Sequence, residues 1–286
     1  MNLLYQNHVD SIKITSKWKL ILFPIVGILL VLIVFPGIFG ALLSLLLHSS
    51  VDNITSLANT IGMIISVLLG AFVLCKMSHI TFSDIGLNKN GSIKDIFKGA
   101  GIGIAMISTV VFVILILGGI RLEYIFSPKN IDGLLTAFVF FMFQGTWEEL
   151  IYRAYMMPHY EKVMGKTLAI VVSSIAFTIF HGLNPNLQVL PLVNIFIFGV
   201  LFAVIYIKKG SLWIVGVCHG MWNFLQGHFF GAEVSGNAVT ASIFHSVPQT
   251  GKNLIFGGNF GYEGSIITTI MGIVFILVVL KFIKKR

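Results

Sequence analysis

Apolar runs divide the chain. Eight windows carry almost no charge, roughly 20–47, 57–75, 99–120, 133–151, 167–183, 189–207, 211–228 and 264–282. About 20 residues at 1.5 Å rise cross a hydrocarbon core of about 30 Å, so each window predicts a transmembrane helix. The first is longer than one straight crossing needs, and Pro36-Gly37 predicts a kink or an early end within it. The fourth is predicted to continue past the membrane to about Tyr160, because LIYRAYMMPHY has helical composition up to Pro158. The fold class that follows is all-α: a polytopic transmembrane bundle of about eight helices, one membrane domain over 1–286. Residues 229–263, rich in Gly, Asn, Ser and aromatics, predict an outer loop partly folded onto the membrane surface.

Composition strengthens this picture. The chain is 56% hydrophobic and 10% charged, with mean hydropathy +0.94. A soluble domain carries about a quarter of its residues charged, so this one cannot cover a water-facing surface. The net charge is +8, but the basic residues sit in short clusters between apolar runs. That is a topology signal and not a nucleic-acid groove; the expected surroundings are the lipid bilayer. Sixteen of the 19 Lys and Arg residues fall in the two tails and in alternate connections, and only Arg121, Lys129 and Lys252 fall in the others. Both termini are therefore expected in the cytoplasm. Lys13, Lys17 and Lys19 resemble a signal-peptide start, but the apolar run beyond them has no small-residue cleavage site at the expected distance, so it is read as a retained membrane segment. Cys75 and Cys218 show no metal or redox spacing. Gly99 and Gly103, four apart, predict close helix packing rather than a nucleotide loop.

The chemistry lies in the charges these windows admit. Each ionisable group in a bilayer costs about 2.5–3.5 kcal/mol on insertion scales. Glu149 and Arg153 are four apart and share a helical face, so they can neutralise one another. Glu148 points about 100° away with no local cation; it needs a raised pKa, a metal or a partner on another helix. His181 closes the fifth window, and His219 and Asn223 are four apart on the seventh. Counted from the cytoplasmic helix ends, Glu148, His181, His219 and Asn223 lie in one slab about 12–21 Å deep, provided the fourth helix is long or the site is open to the cytoplasm. His8, His48, His79, His159, His228 and His245 sit near helix ends or in loops, and Trp147, Trp213 and Trp222 are read as packing or interfacial anchors.

Glu148-Glu149-x-x-x-Arg153, Phe177-x-x-x-His181 and His219-x-x-x-Asn223, in this order and each on an apolar segment, resemble the three motifs of the CPBP intramembrane proteases. That family includes the type II CAAX prenyl endopeptidases and the bacteriocin-processing or self-immunity (Abi) proteins. The resemblance covers about 130–228. It implies an eight-helix bundle with a conical cavity open to the cytoplasm, and hydrolysis of a peptide bond. It implies Glu148 as the base acting on water, Glu149 assisting and held by Arg153 (or the two carboxylates exchanged), His219 and Asn223 binding the oxyanion and His181 binding or orienting the water, with Phe177 in support. Glu148, His181 and His219 could also hold zinc with water in its fourth position, although HExxH is absent. The expected substrate is a membrane-associated peptide or protein: a leader, a pheromone or bacteriocin precursor, or a CAAX-like segment. Two other readings use the same residues. A non-catalytic immunity protein would bind a bacteriocin, and a proton-coupled transporter would use them as a relay.

Overall fold

The computed structural model describes residues 3–48, 53–88 and 92–282. The basic residue Lys89 and the tail residues Lys284, Lys285 and Arg286 lie outside them. A short helix, α1 (Leu3–Ser11), precedes eight long ones. These are α2 (Lys17–Leu46), α3 (Leu57–Ser78), α4 (Ser92–Ile116), α5 (Pro128–Met164), α6 (Lys166–Phe180), α7 (Val189–Lys209), α8 (Leu212–Phe224) and α9 (Ile266–Phe282). Six of these runs are long and apolar enough to cross a membrane by length and composition; α9 has 17 residues, and α8 has 13 before its widened last turn over Leu225–Phe229. Large apolar side chains such as Leu68, Phe112, Leu135, Ile179 and Leu277 are exposed around the bundle, which only a lipid solvent accommodates. The protein is an all-α polytopic membrane bundle.

The helix boundaries carry two differences from the sequence expectation. Pro36 neither ends nor breaks α2. Its ring excludes a normal turn before it, and the chain answers with a π-helical stretch, Ile28–Val34, one turn earlier. That stretch leaves the Val31 carbonyl to accept the indole N–H of Trp147, at 2.6 Å. The fourth crossing runs on to Met164, again through a π-helical turn, Tyr152–Met156.

The centre of the bundle is α5 and α8. They meet through glycines: a Cβ on Gly145 would overlap the amide nitrogen of Gly220, and one on Gly216 would lie 2.5 Å from Thr146 Oγ1. α4 packs on the other side of α8 through Gly99 and Gly103, whose Cβ positions lie 2.5 Å from the carbonyls of Ile214 and Cys218. This is the close packing read from their spacing. Around this centre α6 packs on α7, and α7 on α9.

The two ends of the bundle differ. At the basic end, where the Lys- and Arg-rich connections lie, α1 folds under α5 and α7. Tyr5 Oη donates to Glu161 at 2.7 Å, His8 Nδ1 lies 3.0 Å from Tyr206 Oη, and Lys162 Nζ donates to the Ile12 carbonyl at 2.7 Å. At the distal end a two-stranded antiparallel ribbon joins β1 (Ile120–Tyr124), from the α4–α5 connection, to β2 (Phe244–Pro248), inside the 229–263 segment. The sequence reading assigned no strand here.

Candidate active site

The residues singled out from sequence come together where α5, α6, α7 and α8 meet. Glu149 and Arg153, on one face of α5, are ion-paired at 3.2 Å with neither side chain exposed. Arg153 Nη2 also donates to the Gly199 carbonyl at 3.1 Å, and its guanidinium lies 4.4 Å from the centre of the Phe177 ring. Phe177 thus supports a buried cation through its ring face. The other oxygen of Glu149 accepts from His219 Nδ1 at 2.9 Å, and the imidazole stacks on Phe202 at 4.7 Å. Oε1 of Glu149 is thus hydrogen-bonded, while Oε2 faces Arg153 as an ion pair without a hydrogen bond.

Glu148 is placed differently. Its Oε1 accepts from Gln144 Nε2 at 2.5 Å. Its Oε2 is buried without a hydrogen-bond partner and lies 3.8 Å from both His181 Nε2 and His219 Nε2. The tautomer of His181 follows from its neighbours: Nδ1 is 2.9 Å from the Phe177 carbonyl, which can only accept, so Nδ1 carries the proton and Nε2 of the neutral ring faces Glu148 with a lone pair. A separation of 3.8 Å is too long for a hydrogen bond and suits one water between the groups.

The donor set of Glu148, His181 and His219 has the chemistry of a zinc site. Its spacing is wider than one: ligands 2.0–2.1 Å from a tetrahedral zinc stand about 3.4 Å apart, against 3.8 Å for Glu148 with each histidine. Among the described residues no three His, Cys, Asp or Glu side chains meet as a metal-binding group.

Asn223 reaches this cluster through Gln144: its Nδ2 donates to Gln144 Oε1 at 2.8 Å, while its own Oδ1 is buried and unpartnered. Gln144 is a site residue the sequence reading missed. The signal was available, since Gln144 stands four residues before Glu148 in an apolar run and the same spacing paired Glu149 with Arg153. Two more were missed. Asn194, near the start of α7, ties down the loop before α9 by donating to the carbonyls of Glu263 and Ser265 at 2.7 and 2.9 Å. Glu263 accepts at Oε2 from the amide and hydroxyl of Ser235 at 2.7 and 2.9 Å. Burial pushes its carboxyl above the ordinary range, with the Ser235 bonds opposing. The histidines read as non-catalytic lie elsewhere. His159 Nδ1 donates to the Tyr155 carbonyl at 2.7 Å, and His228 Nδ1 to that of Ala241 at 2.6 Å. Burial, with His159 nearby, lowers the pKa of His8 to about 3.

A narrow cavity of about 20 Å³, room for about one water, adjoins the cluster; its walls include His181, His219, Asn194, Trp222, Glu263 and Thr268. The cavity was expected to open to the cytoplasm, hence at the basic end. His181 stands at the far end of α6, 15 residues and about 22 Å from Lys166. Asn194 lies about 7 Å along α7 from its distal start, and Glu263 belongs to the distal loop. Several of the lining residues thus stand toward the distal ends of their helices.

The family model described as Type II CAAX prenyl endopeptidase Rce1-like matches residues 130–225, the stretch from the start of α5 to the end of α8. No curated protein and no solved structure matches the chain.

Proposed function

The chain belongs to the CPBP/CAAX proteases through its α5–α8 core, and on that premise we propose that it is an intramembrane endopeptidase in which Glu148 activates water. The observation that supports the assignment is the contrast between the two adjacent carboxylates: Glu149 is hydrogen-bonded to His219 through Oε1 and ion-paired with Arg153 through Oε2, whereas Glu148 Oε2 has no Arg or Lys ion pair among the described residues and faces two imidazoles at 3.8 Å. A base needs a free lone pair aimed at its water. Glu149 is a positioning residue.

A water between Glu148 Oε2 and His181 Nε2 donates one proton to each. As its oxygen attacks the scissile carbonyl carbon, Glu148 takes the proton. The carbonyl oxygen becomes an oxyanion, stabilised by Nε2–H of protonated His219, which Glu149 orients through Nδ1, and by the amide of Asn223. Glu148 then returns the proton to the leaving amine as the C–N bond breaks, and the base is restored. The substrate is a membrane-associated polypeptide segment.

The experiment is cleavage in detergent of a library of membrane-tethered leader and precursor peptides. The expected result is a product lost in Glu148→Ala and in His219→Ala. Turnover surviving both substitutions would remove the assignment. Absence of cleavage by the parent protein, with protection against a bacteriocin kept by both variants, would replace it with the immunity-by-binding reading.

A further inference from the structure

We propose that α1 is a strap across the basic ends of the four helices that build the site, and that its release lets those ends part and opens the cluster. That the opening admits a substrate rests on the protease reading; the strap does not.

The need for movement comes first. Glu148, Glu149, Arg153, His181 and His219 are each at most 8% exposed, and the cavity beside them has room for about one water. Attack on a peptide carbonyl needs that carbon about 3–3.5 Å from the water on Glu148. A polypeptide segment does not fit there, so the helices around the cluster must separate during turnover.

α1 touches the basic end of every one of them. On α5, Glu161 Oε2 accepts from Tyr5 Oη at 2.7 Å, and Lys162 Nζ donates to the carbonyls of Ile12 at 2.7 Å and Val9 at 3.4 Å. On α6, Lys166 Nζ lies 5.4 Å from the centre of the Tyr5 ring. On α7, Tyr206 Oη is 3.0 Å from His8 Nδ1, and the Tyr5 ring meets the Tyr206 ring edge-on at 5.9 Å. At the turn into α8, Gly210 has φ +58°, and a Cβ there would lie 2.5 Å from that of Leu4. One nine-residue helix thus ties together α5, α6, α7 and α8. Tyr206 stands one turn of α7 from Phe202, the ring on which His219 stacks.

Two features suit this strap to release. Residues 3–16 add Tyr5, Val9 and Ile12 to the buried apolar core, and a helix of nine residues is too short to hold its own structure in water once detached. α5 also has a joint in the right place. Glu148 and Glu149 precede the π-helical turn Tyr152–Met156, and Glu161 and Lys162, which hold α1, follow it. Such turns recur at functional sites. The segment beyond the turn can move with α1 while Glu148 keeps its place beside His219.

The test is labelling of single cysteines in a chain whose Cys75 and Cys218, both buried, are replaced by alanine. Ala154→Cys lies between Glu149 and Glu161 on α5, and Ala203→Cys lies three residues before Tyr206 on α7. Ala137→Cys, on the distal half of α5, is the control; all three alanines are 0% exposed. Each is made in the parent, in Tyr5→Phe, which loses the hydroxyl bonded to Glu161, and in a chain lacking residues 3–11. The reagent is a small charged methanethiosulfonate, applied in detergent. Expected at 154 and 203 are rates at least ten times the parent's without residues 3–11 and at least three times in Tyr5→Phe, with 137 unchanged. Parent-like rates at 154 or 203 in both variants overturn the proposal. Equal acceleration at 137 also overturns it, since that is general loosening. If the shortened chain does not fold, Tyr5→Phe decides alone. Hydrolysis is not read in this assay, so failure here leaves the protease reading standing, and loss of peptidase activity elsewhere leaves the labelling result intact.

Discussion

Replacing each of the two adjacent glutamates by glutamine should separate stability from chemistry. In Glu149→Gln the buried guanidinium of Arg153 loses the carboxylate 3.2 Å away, and His219 Nδ1 loses a charged acceptor for a neutral one. Arg153 keeps only the Gly199 carbonyl and the Phe177 ring. Removing one partner of a buried pair costs about 3–5 kcal/mol because the other charge stays desolvated. For a chain of this size that is a fall in Tm of about 6–20 °C, taking about 2–4 °C per kcal/mol. In Glu148→Gln the amide oxygen can still accept from Gln144, and no ion pair shorter than 3.8 Å is lost. The amide also carries no charge to desolvate, so Tm should stay within about 2–4 °C of the parent or rise. Activity should be lost in both. The assay is thermal unfolding in one detergent at pH 7.5, beside peptide hydrolysis. A Glu148→Gln protein as unstable as Glu149→Gln, or a stable Glu149→Gln protein, would refute the division of labour between the two.

Three further outcomes are expected. Hydrolysis should persist within twofold in the presence of a strong zinc chelator; loss that zinc restores would show that the 3.8 Å spacing closes onto a metal. Gly145→Ala should destabilise the bundle by about 1–3 kcal/mol, since the added methyl meets backbone of Gly220, and thermal unfolding would show it; an unchanged Tm would mean that α5 and α8 can part. Stability should fall on acidification. The folded His8 has a pKa of about 3 against about 6.5 unfolded; its contribution is complete above pH 6.5 and declines as pH drops toward 3, by about 1.4 kcal/mol at pH 5.5. His8→Phe should flatten unfolding measured across that window, and a slope unchanged by the substitution would contradict the burial argument.

The apolar helices of the bundle, six of them long enough to cross a membrane, were legible because lipid enforces length and apolarity together, and few other pressures produce both. The pairing of Glu149 with Arg153 was legible because four residues is one helical turn. Gln144 was legible only in part: its four-residue spacing from Glu148 announces that contact, but its bond to Asn223, 79 residues away, is announced by no local period. Glu263 lies in a polar segment with no periodicity, so its arrival at the cavity is a tertiary event. Five-residue strands such as β1 and β2 are too short to stand out from a loop. The docking of α1 was not legible either, because its partners are scattered from Glu161 to Tyr206.

That docking also has a place in time. His8 leaves the ribosome 198 positions ahead of its partner Tyr206. At about 5–20 residues per second, α1 waits about 10–40 s before its groove exists. Throughout that interval Tyr5, His8 and Ile12 have no docking site, and the segment that holds them remains available to chaperones, to proteases or to the bilayer surface. Closure of the basic end is thus a late event of biogenesis, and a chain truncated before α7 would carry an undocked N-terminus that quality control could read as a mark of incompleteness.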